Sequence, residues 1–384
     1  MATPDARVIM LSVGEASGDL HGEILCRALR SLDPGVRLVG MGGPRMARAG
    51  MEVLADPTAQ AVVGMTEAVG RVPALYRAYR NLVRRIRRER PHALVLIDFP
   101  EFNMRLGRAA HRAGVPVLYF IPPQLWAWRP GRARQIAAFA ARVLAIFPFE
   151  RAIYEAAGAP VEFVGHPLLD AVPLDMERGQ ARGRLGVDPA VPMIGLLPGS
   201  RPGEVRRLLG PMFEAARILS ERDARRRFVL GLAPGVDRGR IEAAIATAGS
   251  GPRVDIVERL THEVMAAADV LLVASGTATL EAALLGTSMV VCYRVSRTTL
   301  WIARRLALVP WISLPNVVAG RFVVPELLQD DVTGSRLAEL VEPLFAGGPE
   351  SAAQQKAFAE LRAALGEPGV GLRAARAVLE VARG

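Results

Sequence analysis

The sequence predicts an α/β chain built from two doubly wound parallel sheets, and three observations predict it. Short continuous apolar runs recur along the chain, each followed by a Gly/Pro-rich turn and a helical stretch, as strands buried on both faces require. The pattern stops at a polar, Pro/Gly-containing stretch over 171–191 and then starts again. The 384 residues, 51% hydrophobic and 22% charged, suffice for two or three domains of about 150 residues with sizeable cores.

In the first half the first run is Val8–Val13, which meets GEASGD and a helix through Ile24 and Leu29. Leu38–Gly40 runs into MGGP, Ala93–Ile97 ends at Asp98, and Val115–Phe120 ends at IPPQ. Val143–Phe147 ends at PFE and Val161–Val164 at GHP. In the second half Met193–Leu197 is followed by PGSR, and Arg227–Leu232 and Val254–Val257 are further strands. Asp269–Ala274 is followed by SGT and the helix Ala278–Leu285, then by Met289–Tyr293. The boundaries expected are a first domain over 1–168, a second over 169–350, and an alanine-rich helical tail over 351–384 that could pack back on the first. Ligands of such sheets sit at the carboxyl ends of the strands, so the site is expected in the cleft between the two domains.

Composition removes several classes. The N-terminal apolar run of six residues is too short for a signal peptide. The longest apolar region, Ala266–Tyr293, is interrupted by Asp269, Glu281 and the SGT and LGT breaks, so it does not read as a span of about 20 residues. A soluble or peripheral protein is expected. Cys26 and Cys292 cannot make a disulfide framework and fit a reducing cytosol. The formal net charge is +10, carried by 47 arginines and the single Lys356 among the cations. Residues 71–142 hold 15 arginines against Glu89, Asp98 and Glu101, a local surplus of 12 that exceeds the whole chain's. A local surplus implies one face with a polyanionic partner, whether nucleic acid, a phosphate-bearing substrate or an anionic membrane.

The loops after the strands hold the candidate chemistry. In PGSR, Gly199 and Ser200 at a helix start can offer free N–H groups to an anion, and Arg201 or Arg206 can neutralise a diphosphate. An ordinary turn with solvated arginines reads equally well. Ser275, Gly276 and Thr277 repeat the device in the next unit, and Glu281, one turn in, can accept hydrogen bonds from ribose hydroxyls or be a buried acid satisfied by an arginine or the backbone. Asp98 ends a strand and is placed for a general base, but by position alone a cap or ion pair is the better reading. GEASGD has GxxxG spacing rather than GxGxxG, which argues against a dinucleotide cofactor. Its Glu15, Ser17 and Asp19 could meet sugar hydroxyls. His166 in GHP suits a cleft role or a hinge equally. The five histidines and two cysteines have no metal-ligand spacing, and there is no Asp-x-Asp, so neither a metal nor a cofactor is expected.

Residues 71–90 hold eight arginines and one acid, with Leu75, Tyr79, Leu82 and Ile86 in an apolar stripe. A basic amphipathic helix reads as a membrane-surface element presenting Arg77, Arg80, Arg84, Arg85, Arg87 and Arg88. The bland alternative is a surface helix whose stripe packs on the sheet. A second candidate is 298–312, where Trp301 and Trp311 flank Arg304 and Arg305.

Taken together and in order, GEASGD, GGPRM, DFPEFN, PPQLWAWR, FPFE, FVGHPL, LLPGSRPGEV, LLVASGTATLEAAL and SLPNVVAGR resemble the lipid-A-disaccharide synthases, inverting glycosyltransferases of the GT-B type, from about residue 8 to about residue 340. The resemblance implies two Rossmann-like domains with the active site between them. It implies that UDP-2,3-diacylglucosamine is joined to 2,3-diacylglucosamine 1-phosphate through a β-1,6 linkage with release of UDP. By motif it puts Gly199, Ser200, Arg201, Ser275, Gly276 and Thr277 at the diphosphate, with Arg206 as a further anion contact. It puts Glu281 at the ribose, Asn316 in the nucleotide site, and Glu15 on the acceptor side. It makes Asp98 the general base, with helix N-termini and arginine meeting the leaving diphosphate in place of a metal. Glu101 stands where the family usually has Asp, and the tail beyond 340 matches weakly. The same resemblance places the protein in the cytoplasm, peripheral on the inner face of the inner membrane, with an anionic membrane surface as partner and a homodimer left open. Another GT-B enzyme acting on UDP-N-acetylglucosamine, a 2-epimerase or a peptidoglycan-precursor transferase, is disfavoured by the DFPEFN and PPQLWAWR loops. Nucleic-acid binding is disfavoured by the lack of a recognition helix or of aromatics clustered in a basic sheet.

Overall fold

The structure is a computed structural model that describes residues 7–57, 68–125, 131–247, 251–295, 310–345 and 348–383. Two compact units emerge, one formed by Met1–Ala171 with Leu365–Gly384 and one by Val172–Ala364.

The first unit runs β1 (Val8–Val13), α1 (Ala16–Leu32), β2 (Arg37–Met41), α2 (Pro44–Arg48), β3 (Glu52–Ala55), α3 (Ala68–Glu89), β4 (Ala93–Ile97), α4 (Pro100–Arg112) and β5 (Val117–Phe120). It continues with α5 (Arg132–Ala137), β6 (Arg142–Ala145), α6 (Pro148–Ala156), β7 (Val161–Phe163) and α7 (Leu168–Ala171). The second runs α8 (Arg178–Leu185), β8 (Met193–Leu197), α9 (Pro202–Arg222), β9 (Arg227–Leu232), α10 (Arg238–Thr247), β10 (Val254–Glu258), α11 (Thr261–Ala267) and β11 (Val270–Ala274). Then come α12 (Thr277–Leu284), β12 (Ser288–Tyr293), α13 (Leu314–Ala319), β13 (Glu326–Leu328), α14 (Gly334–Val341) and α15 (Pro349–Ala364). The chain ends with α16 (Val370–Val381), which packs on α1 in the first unit.

Both sheets are parallel throughout. The first has the order β3-β2-β1-β4-β5-β6-β7 and the second β10-β9-β8-β11-β12-β13. The strand interiors are apolar because helices cover both faces: β4, β8 and β11 are buried at every residue. In the first unit Leu94, Leu96, Val117 and Tyr119 share a core with Leu82 and Ile86 of α3 and Leu106 of α4. In the second, Leu208, Met212 and Leu219 of α9 meet Leu337 and Val341 of α14 over one sheet face. Met265 of α11, Ala282 of α12 and Phe358 of α15 pack over the other. Emptying a position such as Leu94 would cost about 2–5 kcal/mol.

Strand order reverses once in each sheet, between β1 and β4 and between β8 and β11. Register aligns the carboxyl ends there, with Val13 opposite Ile97 and Leu197 opposite Val273. The loops that leave these ends are Gly14–Glu15 and Asp98–Phe99 in the first unit, Pro198–Arg201 and Ser275–Gly276 in the second. A topological switch point opens a crevice outside the strand ends, and ligands of this sheet type bind there.

Candidate active site

At the switch point of the first unit, Asp98 and Phe99 both adopt left-handed backbone, φ 47° and 49°. Non-glycine residues in that region are strained, and the strain persists only where neighbours over-determine it. Here they do. The Asp98 N–H donates to the Ile121 carbonyl at 3.1 Å. The Asp98 carbonyl accepts from Asn103 Nδ2 at 2.7 Å and from the Tyr119 hydroxyl at 3.0 Å. Asn103 is fully buried and is itself held by the Ser12 hydroxyl, which donates to its Oδ1 at 2.6 Å. The Phe99 ring lies against Gly14, where any Cβ would fall inside it, and stacks on Phe102. The loop therefore has one way to sit, and it leaves the Asp98 carboxylate half-buried.

Burial, and then the nearby Glu15 carboxylate, push the Asp98 carboxyl up to about 6, against a smaller downward pull from the Phe99 N–H. Asp98 is thus a stronger base than a solvated carboxylate and still ionised near neutral pH. Among the described residues no arginine pairs with it. Glu15 is exposed beside it. Asp19 departs from the sugar-contact expectation: it is buried, and its carboxylate accepts N–H groups of Gly43, Arg45 and Met46 at the start of α2. Glu101 pairs with Arg132. His166 holds its own loop: Nδ1 accepts from the Leu168 N–H at 3.2 Å, the ring packs on Phe147, and burial pushes its pKa down to about 3.

At the switch point of the second unit, Gly199 has φ 114°, and a Cβ there would come within 2.6 Å of Glu204 Oε2. Glu204 accepts the N–H groups of both Ser200 and Arg201 at 3.3 Å and pairs with the Arg201 guanidinium. The donors expected at a diphosphate are thus met by an internal carboxylate. Arg206 is exposed. Ser275 donates its hydroxyl to the Ile312 carbonyl at 2.8 Å, which ties the SGT loop to the segment before α13; Gly276 is exposed and Thr277 half-buried. Glu281 accepts a hydrogen bond from His262 Nε2 at 3.0 Å.

Asn316 corrects the expectation of a ligand contact. It is fully buried; its Oδ1 accepts from the Val323 and Val324 N–H groups and its Nδ2 donates to the Val324 carbonyl and Glu326. With both donors and both lone pairs engaged, it shapes the 312–326 loop from within.

The basic helix α3 divides by length. Leu82 and Ile86 are buried in the core with Tyr79 and Val83 beside them, so the stripe packs on the sheet, as the bland alternative had it. Val72 and Tyr76 stay exposed at 62% and 60%. Arg77, Arg80, Arg84, Arg87 and Arg88 are exposed, and Arg80 lies over the Tyr76 ring. Arg85 is the exception: half-buried, it bridges Glu52 at 2.8 Å and Glu89 at 2.9 Å, so its charge is neutralised within the unit. Residues 298–309 of the second membrane candidate lie outside the described residues. Among the described residues no helix is long and apolar enough to cross a membrane.

Four residues of these clusters were missed in the sequence. Asn103 and Glu204 fall in motifs already singled out, each in the first turn of the helix that follows, and Glu204 stands three residues after an N-cap, where an acid reaches back to free N–H groups. Tyr119 and His262 carry no local signal, because only the fold brings them to Asp98 and Glu281.

A profile of the lipid-A-disaccharide synthetase family matches residues 9–381. The chain is 42% identical over 381 residues to the lipid-A-disaccharide synthase of Geobacter metallireducens, covering 99% of each. It is 42% identical over 373 residues to that of Myxococcus xanthus, covering 97% of each. Among solved structures it is similar in fold to MurG of Acinetobacter baumannii, with TM-score 0.59, 15% identity, and 98% of this chain and 99% of that one covered. It is similar too to the UDP-GlcNAc 2-epimerase of Neisseria meningitidis bound to UDP-GlcNAc, with TM-score 0.57, 12% identity, and 97% and 98% covered.

Proposed function

The chain belongs to the lipid-A-disaccharide synthetase family, and from that premise we propose that it joins UDP-2,3-diacylglucosamine to 2,3-diacylglucosamine 1-phosphate through a β-1,6 linkage, with inversion and release of UDP. The observation that carries the proposal is Asp98: a carboxylate at a switch point, raised in basicity by burial and carried on backbone whose carbonyl Asn103 and Tyr119 hold. Asp98 takes the proton of the acceptor's 6-hydroxyl as that oxygen attacks the anomeric carbon from the face opposite UDP. A single displacement of this kind inverts the centre. Glu15 lies on the acceptor side and, by its charge, keeps Asp98 basic.

The second unit holds the donor. Arg201 and Arg206 face the diphosphate with the N–H groups around Gly199–Arg201 and Ser275–Thr277, so negative charge developing on the leaving group meets fixed donors and guanidinium. For the Ser200 and Arg201 N–H groups to take part, the Glu204 carboxylate gives way to phosphate. Glu281 accepts from the ribose, and Asn316 acts through the loop it holds.

Both substrates carry acyl chains, and each CH2 withdrawn from water is worth about 0.8 kcal/mol. We place the protein peripherally on the cytoplasmic face of the inner membrane. The exposed face of α3 supports this, with Arg77, Arg80, Arg84, Arg87 and Arg88 near the exposed Val72 and Tyr76; Arg85 is left out of that face. The deciding experiment compares wild type with Asp98→Asn: the variant binds UDP and forms no disaccharide. Near-normal turnover by the variant would remove Asp98 from the mechanism.

A further inference from the structure

Glu281 is a carboxylate on α12 surrounded in sequence by buried residues, with Thr279, Leu280, Ala282, Ala283 and Leu284 all inside. A lone acid in such a setting needs a partner to hold one rotamer. The partner comes from another strand–helix unit. His262 lies at the start of α11, and its Nε2 is 3.0 Å from Glu281 Oε2. The backbone that carries His262 is itself fixed. Val264, Met265, Ala266 and Ala267 of the same helix are buried, and the Met265 carbonyl accepts the Thr287 hydroxyl at 2.7 Å. The next residue, Glu263, points elsewhere and pairs with Arg184 at 3.0 Å. His262 and Glu281 are each partly accessible, at 32% and 19%, so the pair stands at the surface of the unit.

We infer that His262 is a positioning residue for donor binding: its Nε2–H fixes one oxygen of Glu281 and leaves the other aimed at the ribose hydroxyls of the nucleotide. The inference rests on the reading of Glu281 as the ribose contact. In the neutral ring, donation from Nε2 puts the lone pair on Nδ1. A carboxylate has room for both jobs, since it offers about four acceptor positions over two oxygens. Without His262, the Glu281 side chain recovers its rotamer freedom, and binding must order it again. Ordering one such side chain weakens affinity roughly three- to tenfold. The loss reaches only ligands that use Glu281.

The test is calorimetric binding of UDP, and of UDP lacking the 2′ and 3′ hydroxyls, to the full chain and to His262→Ala, His262→Gln and Glu281→Ala. Glu281→Ala should weaken UDP and leave the dideoxy analogue unchanged. His262→Ala should weaken UDP roughly three- to tenfold and also leave the analogue unchanged, and His262→Gln, whose amide can donate to the same oxygen, should recover most of the loss. Equal weakening of both ligands by His262→Ala would make the histidine a general structural residue, and no weakening of either would remove it; both outcomes overturn the inference while Glu281 stands. If Glu281→Ala fails to separate the two ligands, the ribose reading itself is wrong and the inference falls with it.

Discussion

Replacing Asp98 with Asn should make the protein more stable while ending its chemistry. Burial and the Glu15 charge raise the Asp98 carboxyl from its ordinary 3.8 to about 6. The folded state thus carries the ionised form at a cost that the unfolded chain does not bear. That cost is absent below about pH 3.8, grows as pH rises, and is complete above about pH 6. A shift of this size at 1.36 kcal/mol per unit gives about 3 kcal/mol at pH 8. At pH 5 about half of it remains. The Asn variant keeps the shape and can still accept the Phe99 N–H, so the charge is what changes. The assay is urea unfolding of wild type and variant at pH 8 and pH 5, followed through the transition of the first unit. Burial also depresses His21 and His166, to about 4 and about 3, and both destabilise the fold in acid. They do so in both proteins, so the difference isolates Asp98. A variant no more stable than wild type at pH 8, or a gain that does not shrink at pH 5, would refute the claim that this carboxylate is held ionised against its surroundings. The same shift predicts that kcat/KM of wild type falls below about pH 6, and that Glu15→Gln moves that fall to lower pH.

Asn103→Ala should cost about 1–3 kcal/mol by leaving buried carbonyls unsatisfied and should lower kcat with little change in UDP affinity, read by unfolding and by calorimetry. Glu204→Gln should tighten UDP several-fold, because the diphosphate no longer displaces a charge from the Ser200 and Arg201 N–H groups; weaker UDP binding would show that Glu204 shapes the loop instead of competing for it. Replacing Arg77, Arg80, Arg84 and Arg87 with Gln should weaken sedimentation with anionic vesicles by about 1 kcal/mol per residue at low salt, whereas Arg85→Gln should lower stability and leave vesicle binding nearly unchanged.

The long buried strands were legible because each is a continuous apolar run closed by a turn. β3 and β13 were not. They are edge strands of four and three residues that open with Glu52 and Glu326, and the two or three apolar residues that follow are too few to mark a strand. A tail returning to the first unit was expected from 351 onward, but the point of return is a matter of long-range packing: Phe358 of α15 joins the second unit's core, while Ala374 and Val378 are buried on α16, which lies on α1. Asp98 shows the limit at the site. Its position after a strand was visible, but not the left-handed turn that Asn103 and Tyr119 hold through the Asp98 carbonyl. Asn316 shows the opposite error, since a motif marks a residue as needed without saying whether it touches the ligand or builds the loop that does.

Joining two acylated sugars by direct displacement leaves a defined set of products. Mass spectrometry of the products from purified protein, a diacylated UDP-glucosamine and a diacylated glucosamine 1-phosphate tests it most directly. The expected products are UDP and a β-1,6-linked disaccharide 1-phosphate in equal amounts, with none formed by Asp98→Asn. UDP released by hydrolysis alone, or an epimerised sugar nucleotide with no joined product, would contradict it.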